Sequence, residues 1–228
     1  MDIRKNVELL FEEIAEAAAR SGRTADDITL VAATKTNSAE RVREAIDAGI
    51  RHVGENRVQE LVEKNAAHAY DGAVIHFIGH LQKNKINKLV GTVELIQSVD
   101  SVELLKLISA RAERLGITQD VLLEINLAGE EAKSGFAPSE IESALSDASI
   151  FGGVCIRGLM AIPPASEKSE ENRVHFAALR KLFIDISAKK YDNVCMDFLS
   201  MGMSGDFRDA ILEGANIVRV GTAIFGAR

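Results

Sequence analysis

Tryptophan is absent from this 228-residue chain, and cysteine, proline and tyrosine are scarce, with two, three and two residues. Two cysteines cannot build a disulfide framework or a cysteine-rich metal centre. Both, Cys155 and Cys195, lie in apolar runs, which predicts ordinary buried thiols. No proline-rich linker divides the chain. Its one cluster, Pro163-Pro164-Ala165-Ser166, reads as a loop ending in a cap for the next helix. No apolar run reaches the roughly 20 residues of a membrane span. The N-terminus carries charges within five residues and lacks the apolar core of a secretory signal. These absences predict a cytoplasmic protein with no membrane partner. Basic residues are outnumbered 34 to 27, a net charge of −7, which argues against nucleic acid as a partner. An anionic ligand therefore needs a locally positive pocket.

What is present is a regular alternation of short apolar runs and helical patterns. Ile3, Val7, Leu10, Ile14 and Ala18 recur at helical spacing, predicting an opening amphipathic helix that ends near Gly22. Apolar runs follow at 28–33, 52–54, 74–78, 94–98, 121–126, 154–160, 194–199 and 216–220. Helical patterns occupy 39–48, 57–67, 101–115, 139–146, 167–188 and 207–213. Strands separated by helices require crossovers and a parallel sheet. Eight such repeats predict an α/β fold, a single (β/α)8 TIM-type barrel with an extra N-terminal helix, in one domain spanning 1–228. The runs at 52–54 and 94–98 are weak strands, so a six-stranded open sheet is the alternative.

In a barrel, chemistry gathers at the carboxyl ends of the strands. Those ends here are Thr34-Lys35, Glu55-Asn56, Gly79-His80, Ser98, Asn126, Met160, Ser200-Met201-Gly202 and Arg219-Val220-Gly221-Thr222. The last two strands each run into small residues and a hydroxyl, Gly202-Met203-Ser204-Gly205 and Gly221-Thr222. Loops after strands seven and eight are where such barrels build a phosphate cup from backbone amides and helix starts. Lys35, closing the first strand, would be partly desolvated at the barrel mouth and able to attack an aldehyde as the neutral amine. Together they suggest a phosphorylated aldehyde held on a lysine. Bland readings stand beside each: a solvated lysine at a strand end, ordinary loop glycines, and an Arg219 buried against a carboxylate. His80 is as well suited to structure as to catalysis. Lys83, Lys85 and Lys88 read as a solvated face, and Lys133-Ser134-Gly135-Phe136 as a loop over the ligand face. Glu55 and Asp206 could pair as acid and base, but structural roles suit them better.

The stretches VAATKT, HVGENRVQELVEK, IHFIGHLQKNK, SVDS, AKSGF, GLMAIPP, LSMGMSGDF and VRVGTAIFG span nearly the whole chain. In them it closely resembles the pyridoxal phosphate homeostasis protein family, related to the N-terminal barrel of alanine racemase. The resemblance implies a fold-type III barrel that carries pyridoxal 5'-phosphate (PLP) as a Schiff base on Lys35. It implies a phosphate held by Ser204, Gly221 and Thr222, a pyridine nitrogen faced by Arg219, and a ring lined by Asn56, Ser200 and Met201. One departure is Ala33-Thr34 before the lysine, where the family often has Val-Ser; a small hydroxyl residue is kept. An arginine about 4 Å from the ring nitrogen opposes its protonation by about 4 kcal/mol at an effective dielectric near 20, roughly three pK units. That weakens the ring as an electron sink.

Three functions follow. The first, implied by the family, is a non-enzymatic carrier in vitamin B6 homeostasis, a monomer that distributes PLP to apo-enzymes. The second is an amino-acid racemase or lyase, which usually needs a second base such as tyrosine. Tyr70 and Tyr191 both precede strands, placing them at the amino-end face, and the chain ends eight residues after Val220 without a covering domain. The third is a lysine-aldolase-like barrel for phosphorylated sugars.

Overall fold

The computed structural model describes residues 2–127, 129, 134–164 and 169–226. The opening helix α1, Ile3–Arg20, starts on Asp2, whose side chain accepts from the Lys5 amide. It buries Ile3, Val7, Leu10, Ile14, Ala17 and Ala18 along one stripe, the geometry of an amphipathic helix on a core. Eight strands follow: β1 Thr29–Ala33, β2 His52–Glu55, β3 Val74–Phe77, β4 Leu95–Val99, β5 Gln119–Glu124, β6 Val154–Met160, β7 Val194–Ser200 and β8 Ile217–Val220. All adjacent pairs are parallel, and β1 closes on β8 with Thr29 opposite Ile217 and Ala32 opposite Val220. The barrel is closed, so the open-sheet alternative falls, and both weak runs are strands.

Between the strands lie α2 Ala39–Asp47, α3 Val58–Ala66, α4 Ile86–Leu89, α5 Val102–Leu115, α6 Ile141–Ala148, α7 Arg173–Ser187, α8 Phe207–Leu212 and, after β8, α9 Thr222–Phe225. The pattern at 167–188 is shorter than expected: a 3₁₀ turn covers Ser169–Asn172 before α7 begins. The capping residue proposed at Ser166 lies outside the described residues. α1 packs on α8, α9 and α2, and Asn6 Nδ2 donates to the Ile224 carbonyl at 2.9 Å. The extra helix thus braces the turn that follows β8.

Two apolar layers form the core. The larger fills the space between strands and helices. The smaller, Val31, Leu95, Leu122, Met160 and Ile217 with Phe198 against it, occupies the lumen. One pleat nearer the carboxyl ends, on the same strand faces, stand Gln97, Glu124, Ser200 and Arg219. Polar groups therefore cap the apolar lumen directly below the mouth.

The cysteine expectation needs correcting. Cys195 is exposed and Cys155 only half-buried. Successive residues of a strand face opposite ways, so Val194 and Met196 pack on the helix-covered core while Cys195 between them points to the other face of the strand and is exposed. Burial and the neighbouring Cys195 push the Cys155 thiol up to about 11.

Candidate functional site

Lys35 is held from behind by a polar network that the sequence did not announce. Glu55 is fully buried, and its Oε1 accepts from Lys64 Nζ at 2.5 Å, Thr34 Oγ1 at 2.5 Å and Tyr70 Oη at 3.0 Å. Lys64 Nζ also donates to the Thr34 carbonyl at 2.8 Å. The residue before Lys35 is thus fixed through side chain and backbone. The residue after it, Thr36, has φ of 63°, a left-handed conformation that costs about 1–3 kcal/mol in a non-glycine residue. Glu60 Oε2 accepts from the Thr36 amide at 2.8 Å and steadies it. Burial, and then the field of Glu55, raise the Tyr70 hydroxyl far above its ordinary value. Tyr70 corrects an expectation: its backbone precedes β3, but its ring reaches up to the end of β2. It is locked behind Lys35 in this network and is no free base.

Lys35 itself is exposed, not partly desolvated as expected. It lines a hollow of about 330 Å³ with Ala33, Thr36, Asn37, Arg41, Gly221, Thr222, Phe225 and Gly226. The ends of β1 and β8 therefore meet around one cavity, near the lower end of small-ligand pocket sizes, about 300–1,000 Å³. Two cations and no carboxylate line it, the locally positive pocket that a chain of net charge −7 needs for an anion. Arg41 is anchored by Asn37 Oδ1 at 3.2 Å and the Phe225 carbonyl at 2.5 Å. Arg41 lies in the first turn of α2 rather than at a strand end, so no local sequence signal marked it.

The β7 turn joins this hollow through Ser204. Its Oγ accepts from the amides of Gly221 at 3.2 Å and Ala223 at 3.3 Å, so two backbone donors converge where an anion's oxygen could also sit. Gly202, at φ 92°, permits the turn: a Cβ there would lie 2.6 Å from that of Ala210. Asp206 accepts from the Met203 amide at 2.7 Å and from Asn172 Nδ2 at 2.8 Å, which ties the loop together.

The remaining predicted residues lie lower or to the side. Ser200 and Met201 are fully buried. Arg219 is nearly so, donating to Ser200 Oγ and, at 2.9 Å, to the Ala161 carbonyl. No carboxylate among the described residues forms an ion pair with it, unlike the structural arginine considered above. Burial brings its guanidinium down to about 10, only partly offset by the fields of Glu124 and Asp206. Asn56 borders a second hollow of about 280 Å³ at the same mouth, with Ser98, Glu124 and Ser134. Its Oδ1 is buried without a hydrogen-bond partner, an unsatisfied acceptor of the kind functional sites keep. Burial, reinforced by Asp100, raises the Glu124 carboxyl. His80 is exposed, with Nδ1 3.2 Å from Asp100 Oδ2. Lys83 pairs with Glu103 at 2.5 Å on the surface, and Lys133 lies outside the described residues.

Residues 11–228 match the family described as alanine racemase, N-terminal domain. The pyridoxal phosphate homeostasis protein of Aquifex aeolicus is 41% identical over 228 residues, covering 100% of this chain and 99% of that protein. A structure of an unknown protein from Bifidobacterium adolescentis superposes with a TM-score of 0.92 at 40% identity, covering 98% of this chain and 94% of the other. PipY of Synechococcus elongatus with PLP bound gives a TM-score of 0.81 at 35% identity, covering 93% and 100%. With full-length relatives at this identity and a barrel whose carboxyl-end mouth gathers Lys35, Gly221 and Thr222, the chain belongs to the pyridoxal phosphate homeostasis protein family.

Proposed function

We propose that this chain binds PLP at the carboxyl-end mouth of its barrel and serves PLP homeostasis inside the cell, as one 228-residue domain acting as a monomer. It holds the cofactor on Lys35 and yields it to apo-enzymes. The observation that carries this reading is the shared hollow of Lys35, Arg41, Gly221 and Thr222, which offers an amine and an anion cradle and no carboxylate. When bound, PLP supplies an aldehyde that condenses with a primary amine and a conjugated ring that absorbs visible light. Lys35 presents that amine from the rigid end of β1, fixed by Thr34 and the Glu55–Lys64 pair. The amides of Gly221 and Ala223 and the hydroxyls of Ser204 and Thr222 take the phosphate, with Arg41 adding charge. Arg219 would face the ring nitrogen and oppose its protonation, while Asn56, Ser200 and Met201 would support the ring.

Carriage is favoured over racemisation by the tyrosines. Tyr70 is buried behind Lys35 with a strongly raised pKa, and Tyr191 lies in the turn before β7. Neither supplies a base over the cofactor. The test is titration of the protein with PLP, followed by borohydride and mass spectrometry. A visible band and a reduced adduct mapping to Lys35 are expected, both lost in Lys35→Ala. An adduct elsewhere, or a band retained in the variant, overturns the assignment. Hand-over is read as reactivation of an apo PLP-enzyme by the loaded protein in the presence of a scavenger of free PLP. Amino acids gaining solvent deuterium at Cα at enzymic turnover would replace carriage with racemisation.

A further inference from the structure

A hydrogen-bond chain crosses the barrel lumen from Arg219 on β8 to the opposite mouth. Arg219 Nη1 meets Ser200 Oγ on β7. Ser200 Oγ lies 2.7 Å from Gln97 Oε1 on β4, Gln97 Nε2 is 2.9 Å from His76 Nδ1 on β3, and His76 Nε2 is 3.0 Å from His52 Nδ1 on β2. Gln97, His76, Ser200 and Arg219 are all buried. His52 opens onto a hollow of about 380 Å³ at the amino-end mouth.

The direction of this chain is fixed from one end. A guanidinium has donors only, so Ser200 must accept from Arg219. Ser200 is fully buried, and its single hydroxyl proton has Gln97 Oε1 as acceptor. With that oxygen spent, Gln97 offers its amide N–H to His76 Nδ1, so His76 must carry its proton on Nε2. It then donates to His52 Nδ1, and His52 in turn is protonated on Nε2. Each assignment forces the next, so two histidines on β2 and β3 take their tautomers from an arginine on β8. Burial lowers both imidazoles, His76 to about 3, keeping each neutral as the chain requires.

We propose that Gln97, His76 and His52 are positioning residues for Arg219, forming with Ser200 a one-way hydrogen-bond chain that holds its guanidinium at the base of the carboxyl-end mouth. The link to cofactor rests on the reading that Arg219 faces the PLP ring; the chain itself does not. Without a partner at Gln97, Ser200 loses its fixed orientation, and Arg219 keeps only the Ala161 carbonyl as a defined acceptor.

The primary experiment is nitrogen-15 NMR of the histidine rings in the protein without PLP, at neutral pH. His76 and His52 should both show a pyridine-type Nδ1 and a protonated Nε2. In Gln97→Glu the side chain has acceptors only, so His76 should switch to Nδ1–H, and His52, which the substitution does not touch, should switch with it. Ser200→Ala removes the group that sets the direction, and both tautomers should then populate. A protonated Nδ1 on His76 in the native protein overturns the proposal, as does an unchanged His52 in a folded Gln97→Glu variant. Loaded with PLP, Gln97→Met should keep the Lys35 adduct but shift the pH profile of the visible band, because Arg219 no longer opposes ring protonation from a fixed place. An unmoved profile sinks the positioning role. Failure of every version to bind PLP would count against the proposed function alone, since the ring-nitrogen signals are read without it.

Discussion

Removing Lys64 tests the buried ion pair that backs Lys35. The Lys64 ammonium sits 2.5 Å from Glu55 Oε1, with the lysine side chain 10% exposed and the glutamate 0%. Lys64→Met keeps most of the packing volume but leaves a buried carboxylate with only Thr34 and Tyr70 as donors to Oε1. Glu55 Oε2 already lacks a partner. Breaking one side of a buried pair costs about 3–5 kcal/mol, mostly as the penalty of the charge left behind. For a chain of this size that corresponds to a fall of roughly 6–20 °C in melting temperature. Chemical denaturation at pH 7 measures it directly. The double variant Glu55→Gln/Lys64→Met removes the orphaned charge and should recover at least half the loss. The deficit of the single variant should also shrink as pH falls from 7 to 5, because an unpaired buried carboxyl takes up a proton more readily in the native than in the unfolded chain. A loss below about 1 kcal/mol, or a double variant no better than the single, would refute the assignment of Lys64 as the compensating charge. Because Lys64 also holds the Thr34 carbonyl, the single variant should loosen PLP binding at Lys35 as well.

Other consequences are simpler to check. Gly79→Ala would place a Cβ 2.1 Å from the Asn56 carbonyl oxygen; overpacking against backbone should cost about 1–3 kcal/mol in denaturation and displace Asn56. Ser204→Ala leaves the amides of Gly221 and Ala223 without their shared acceptor and the phosphate without a hydroxyl; an affinity loss of roughly tenfold, about 1.4 kcal/mol, is expected in a PLP titration. For His76, held near 3 in the native state against about 6.5 unfolded, the unfolded chain binds the extra proton throughout that interval. Stability should therefore fall with acidification below pH 6.5, by up to about 1.4 kcal/mol per pH unit from this group. His76→Gln should flatten the slope between pH 6.5 and 5.5, and an unchanged slope would show that His76 is not the group responsible.

The sequence by itself determined the repeating framework. Eight apolar runs interleaved with helical patterns admit few arrangements once crossovers must be parallel and right-handed, and all eight became strands. It also marked residues that meet around one hollow: Lys35, Gly221 and Thr222, with Ser204 beside them, were legible from the residue types at the first and last two strand ends. Alternation along a strand, by contrast, hid Cys195, which sits in an apolar run yet points away from the helix-packed core and is exposed.

Only the tertiary structure decided the partners of buried polar groups, because those partners are distant in sequence. Arg219 and Ser200 are 19 residues apart, and Ser200 and Gln97 are 103 apart, separations at which no sequence periodicity survives. The same holds for Tyr70, whose backbone lies at one end of the barrel while its hydroxyl reaches the other. Closure of β1 on β8 brings the first strand's lysine to the last strand's glycine. That step depends on the shear and twist of the whole sheet, which no single segment encodes.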